Sequence, residues 1–124
     1  MALKQIRRGE IYIAKFFEFP HEGRKLAEKE RPVLILQDDE DNFNQRYPLV
    51  IVAPISTQKL DRVYKQDVLI PAKEAGLTAD SKLLLGIIRT IRKADLTKRT
   101  GKLNKERMEE VNIKLFRVLG FLER

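Results

Sequence analysis

Apolar residues fall along this chain in short, dense runs, and one stretch near the C-terminus carries a helical period. Residues 11–17 bring together Ile11, Tyr12, Ile13, Phe16 and Phe17, types that suit a pleated strand. Residues 31–37 open on Arg31 and Pro32 and continue as Val33-Leu34-Ile35-Leu36 with no polar alternation. That pattern predicts a strand buried on both faces and started by the proline, which has no N–H to offer a ladder. Residues 49–53 follow Pro48 as a third apolar run with Pro54 near its end, and residues 67–70 form a fourth, stopped by Pro71. Residues 82–91 read as a fifth, long strand in which Gly86 marks a bulge or a close backbone approach.

Between these runs the chain is polar. Residues 18–30 form a loop holding Pro20, Gly23 and His21, residues 38–42 an acidic turn, and residues 72–80 a turn with room for one helical turn. A basic segment runs on through Lys102, with room for a helical turn and a short strand. Asn104 then suits the N-cap of the one convincing helix, with Glu106, Glu109 and Glu110 in its early turns. Met108, Val111, Leu115, Val118 and Leu122 recur at spacings of three and four, a stripe expected to face the core. The expected architecture is mainly β with α: a small twisted sheet or half-open barrel with one C-terminal helix.

Composition narrows the class. A chain of 124 residues with 43% apolar content predicts one ordered domain, residues 1–124. It has no cysteine, so neither disulfides nor thiolate metal sites enter. No apolar run approaches the length of a membrane span and no signal-peptide core follows the N-terminus, so the expectation is a soluble cytoplasmic protein without a membrane partner. The net charge of +7 is unevenly spread: residues 1–81 hold 13 basic and 13 acidic residues, residues 82–124 hold 12 and 5. An excess confined to the C-terminal third points to an anionic partner such as nucleic acid, or simply solvates the terminal helix.

Candidate chemistry is sparse. Arg31, at the head of a buried strand, offers a fixed cationic fork that suits a phosphate; pairing with Glu28 or Glu30 is the blander alternative. Ser56, Thr57, Gln58 and Lys59 leave the third strand as a compact hydrogen-bonding cluster, which ordinary turn chemistry also explains. His21 is the one histidine, a candidate general base on a loop where histidines are usually just solvated. The carboxylates of residues 38–42 lack the spacing and the glycine of a Ca²⁺ loop. If the second and third strands are antiparallel neighbours, Arg31 and Ser56 lie at the same end of the sheet. A cation beside a hydroxyl suits a phosphodiester. No Asp/Glu/His cluster with metal-ligand spacing is evident, so the expected chemistry uses no metal and no cofactor. The nucleophile must then come from the substrate, and RNA carries one in its 2′-OH.

Four blocks carry a family resemblance: Arg8-Gly9-Glu10-Ile11-Tyr12; Arg31-Pro32-Val33-Leu34; Val52-Ala53-Pro54-Ile55-Ser56-Thr57-Gln58; and Asp80-Ser81 with Ile88-Arg89-Thr90-Ile91. In order and spacing, over nearly the whole chain, they resemble the MazF/PemK (Kid) family of type II toxin–antitoxin systems. The resemblance implies an SH3-like small barrel of about five to seven strands with a C-terminal helix, and a homodimer. It also implies a metal-independent endoribonuclease that cuts single-stranded RNA at short motifs and leaves 2′,3′-cyclic phosphate and 5′-hydroxyl ends. By position, Arg31 matches the family's catalytic arginine and Ser56 its catalytic Thr or Ser. Thr57, Gln58 and Lys59 fall on the adjoining RNA-binding loop. The usual partner is an antitoxin whose acidic, initially disordered segment covers the RNA site.

The chain departs from the family pattern at three places. The segment before Arg31 reads Leu26-Ala27-Glu28-Lys29-Glu30 instead of a glycine-rich run, Ile87 stands where many members have glutamine, and Ser56 replaces the more frequent threonine. Two other readings share the barrel: a non-catalytic growth-inhibiting module like the gyrase-binding CcdB-type toxins, and a decayed toxin that only binds RNA or an acidic partner.

Overall fold

The computed structural model describes residues 5–17 and 28–122, so His21 and the loop around it lie outside the described residues. Its seven strands are β1 (Glu10–Phe17), β2 (Glu28–Ile35), β3 (Leu49–Ser56), β4 (Asp67–Ile70), β5 (Ser81–Leu84), β6 (Arg89–Arg92) and β7 (Leu96–Lys102). A short helix α1 (Asp39–Phe43) follows β2, and α2 (Lys105–Val118) ends the fold. The strands form one antiparallel sheet, ordered β4-β5-β3-β2-β1-β7 with β6 also on β3. No helix among the described residues is long and apolar enough to cross a membrane.

The runs of β1, β2 and β3 each feed a core on both faces of the sheet. Ile11, Leu34 and Ala53 lie in register across β1, β2 and β3 and join a core that Val111 of α2 closes. Tyr12, Val33, Ile35, Val50 and Val52 build a second core on the opposite face. The sheet curls without closing. Its curl brings the turn after β4 onto β7, where Gly76 and Gly101 pack backbone to backbone: a Cβ on Gly101 would sit 2.1 Å from the Ala75 carbonyl oxygen.

The expected fifth strand is two. β6 pairs with Leu49 to Val52 of β3 and β5 with Ile55 and Ser56, along the same edge. Between them the chain lifts off as a 3-10 turn, Leu85–Ile87. The gap falls opposite Pro54, which has no N–H for a ladder, so pairing is lost where it is weakest. At Gly86 a Cβ would approach the Gln66 amide to 3.2 Å, the close approach that the glycine signalled. β2 begins at Glu28, so Pro32 lies inside it. β3 joins β2 only from Val33 onward, and Pro32 therefore sits on an edge, where a missing N–H is tolerated.

The acidic turn is also ordered. Asp38 caps α1 by accepting from the Glu40 N–H, and Asp39, Glu40 and Asp41 occupy its first turn, where carboxylates complement the helix dipole. Asn104 caps α2 as expected, accepting from the Arg107 N–H at 2.8 Å. Of the expected core stripe, Met108, Val111 and Leu115 reach the core, whereas Val118 and Leu122 are 37% and 38% exposed. At 1.5 Å per residue, Val118 stands about 10 Å beyond Val111, past the sheet that Val111 packs on.

Arg107 ties α2 to the turn after β4, donating to both carboxylate oxygens of Glu74 at 2.8 and 3.0 Å. These hydrogen bonds, then the guanidinium charge, hold the Glu74 carboxyl below its ordinary pKa against the opposing effect of burial. A carboxyl depressed in the folded state stabilises at neutral pH, and that contribution is lost as pH falls through the folded-state pKa. Glu74→Gln is therefore expected to melt below the parental protein at pH 7, with the gap closing once the pH drops under the usual glutamate range. Thermal melts across pH check this.

Candidate functional site

The β2–β3 register runs Ile35–Val52, Leu34–Ala53, Val33–Pro54. The ladder stops there: Arg31 lies two residues beyond Val33 on β2 and Ser56 two residues beyond Pro54 on β3, so both stand just past the same end of it. On the other edge of β3, Ser56 pairs with Lys82 of β5. Directly opposed residues of antiparallel strands project to one face. Ser56 and Lys82 thus share a face, that of the second core, and Arg31 alternates onto the same face of β2 as Val33 and Ile35. Arg89 pairs with Val52 and belongs to the same face.

β2 and β3 are antiparallel neighbours, as expected, with Arg31 and Ser56 beyond the same end of their ladder, but Arg31 is not at a strand mouth. Arg31 is half-buried within β2, opposite Ala14 of β1. Burial disfavours the Arg89 cation, and the nearby Arg31 guanidinium lowers its pKa further. A phosphate seated between two such cations relieves their repulsion.

Ser56 is half-buried, and its Oγ accepts from the Gln58 N–H at 3.0 Å. That is the turn chemistry that Ser and Thr favour, and it leaves the hydroxyl hydrogen available to donate. Thr57, Gln58 and Lys59 are exposed on the turn that follows, with Lys59 in the left-handed region at φ 51°. Beneath them lies Lys82, 7% exposed, whose Nζ donates to the carbonyls of Lys59 and Arg62 at 2.9 and 2.8 Å. The sequence reading passed over Lys82. Its one signal was a charged residue heading an otherwise apolar run. Arg89 entered that reading only inside the Ile88–Ile91 block, with no role.

The Arg31 and Arg89 cations and the Ser56 hydroxyl are groups that can neutralise charge on phosphodiester oxygens and donate a hydrogen bond to them. Residues 7–119 match the model of a family described as PemK-like, MazF-like toxin of type II toxin-antitoxin system. The chain belongs to this toxin family. The toxin is 38% identical over 114 residues to Endoribonuclease MazF2 of Mycobacterium bovis, covering 92% of the toxin and 96% of that protein. It is 36% identical over 107 residues to Endoribonuclease EndoA of Bacillus subtilis, covering 86% and 88%. An endoribonuclease in complex with its cognate antitoxin, from Mycobacterial species, aligns with a TM-score of 0.73 over 96% of the toxin and 99% of that chain. At 19% identity that likeness speaks for the fold, which the toxin shares.

Proposed function

We propose that this toxin endoribonuclease cleaves single-stranded RNA without a metal, using the 2′-hydroxyl next to the scissile phosphate as nucleophile. The 2′-oxygen–phosphorus bond forms and the bond to the 5′-oxygen breaks. The 2′-hydroxyl proton leaves and the 5′-oxygen gains one, giving 2′,3′-cyclic phosphate and 5′-hydroxyl ends. Arg31 stabilises the charge that develops on the phosphoryl oxygens, and Ser56 orients the phosphate through its free O–H. Thr57, Gln58 and Lys59 hold the flanking nucleotides. The observation that supports this reading is the antiparallel pairing of β2 with β3, with Arg31 and Ser56 each two residues beyond the last pair, Val33 with Pro54.

The partners follow the same logic. The excess of basic over acidic residues lies in 82–124, which favours anionic partners. We assign these as RNA and a cognate antitoxin with an acidic, initially disordered segment. The working form is a homodimer acting in the cytoplasm, where single-stranded messages are available.

The test is cleavage of a long single-stranded RNA in EDTA, with ends mapped by primer extension and their chemistry by kinase labelling. Discrete cuts that persist under chelation and leave 5′-hydroxyl ends are expected. Cuts abolished by EDTA, or 5′-phosphate ends, would refute the mechanism.

A further inference from the structure

We infer that Lys82 is a positioning residue of the RNA site, its buried ammonium tying the turn that carries Thr57, Gln58 and Lys59 down beside Ser56. The inference rests on the reading of that turn as the RNA-binding loop.

Lys82 occupies a position where an apolar residue would be expected. It lies on β5 between Ser81 and Leu83, both buried, and is itself buried. Taking an ammonium out of water is costly unless its hydrogens are used. Among the described residues its partners are two backbone carbonyls, those of Lys59 and Arg62, and no carboxylate. It sits opposite Ser56 in the β3–β5 ladder.

The carbonyls it holds belong to one tight turn. The Lys59 carbonyl also accepts from the Arg62 N–H at 3.0 Å, so both its lone pairs are engaged. Lys59 itself is in the left-handed region, which a residue with a Cβ adopts only when its surroundings enforce it. Lys82 supplies that enforcement from below. Thr57 and Gln58 join this turn to Ser56, and the Gln58 N–H is hydrogen-bonded to the Ser56 hydroxyl. The strap thus fixes the exposed Thr57, Gln58 and Lys59 relative to Ser56.

A residue that preorganises a binding loop affects substrate binding more than the chemical step. Lys82→Met keeps the length of the side chain and removes the donors. Three readouts apply: steady-state cleavage of a short single-site RNA in EDTA, direct binding of its 2′-O-methyl analogue, and amide exchange over residues 57–62. The expected result is a KM and a Kd each raised about 10-fold, the effect of losing hydrogen bonds from a charged donor that hold the loop. The kcat should stay near the parental value, and exchange in the turn should be faster. Should K82M not fold, Lys82→Gln, which retains a shorter donor, carries the same comparison. Parental KM and Kd in the variant, or a loss confined to kcat, overturns the inference. A parental protein that neither cleaves nor binds the RNA overturns the site reading instead, and this inference with it.

Discussion

Arg31→Ala is expected to slow RNA cleavage by about 10²–10³-fold, the usual cost of removing one preorganised donor from a developing oxyanion. The side chain is half-buried in the middle of β2, so its guanidinium is aimed by the ladder and not by a flexible loop. Its neighbour on β1 is Ala14, and the ladder to β3 begins two residues further on, at Val33. Arg31→Lys keeps the charge but loses the planar fork, and is expected to recover only part of the rate. Single-turnover cleavage at saturating protein measures the chemical step, and a thermal melt checks folding. A folded Arg31→Ala protein that cuts at the parental rate would remove Arg31 from the mechanism.

Gly101→Ala should destabilise the fold by about 3 kcal/mol, in the upper part of the range for overpacking a close contact. The new methyl would lie 2.1 Å from the Ala75 carbonyl oxygen, 2.6 Å from its carbon and 3.2 Å from the Gly76 nitrogen. All three are backbone atoms, so no side chain can swing away. A Cβ added to Gly76 would meet β7 as closely from the other side, 2.1 Å from the Thr100 carbonyl oxygen, and Gly76 has φ +79°. Forcing the two apart opens the seam where the turn after β4 meets β7, and with it the first core. A fall in Tm of about 10–15 °C is expected for a domain of this size. Gly120→Ala is the comparison: at φ +81° it is strained as well, but nothing lies within 4 Å of its added Cβ. It should cost much less. Equal melting of the two variants would mean that the seam does not limit stability.

Much of the fold was legible because burial writes itself into runs of residue types. The run at 67–70 coincides with β4, and the runs at 11–17, 31–37 and 49–53 lie on β1, β2 and β3 with shifted ends. Asn104 announced α2, since its capping bond is local. The ends shifted because ladders are set by neighbours: β2 extends back to Glu28 on its pairing with β1 alone, and β3 runs on to Ser56 because β5 is there to pair with it. α1 was hidden because four carboxylates in a row read as solvated until Asp38 is seen as a cap.

The sequence by itself determined the strands' composition, the single capped helix, the uneven charge and the blocks that place the chain in its toxin family. Tertiary structure alone decided what faces what. The break at Leu85–Ile87 depends on Pro54, a residue about thirty positions earlier, being across the ladder. The role of Lys82 depends on two carbonyls from another segment lying over it. The exposure of Val118 depends on where the sheet under α2 stops. Each is a contact between segments distant in sequence, and residue type and spacing along one segment carry no record of what the fold lays against it.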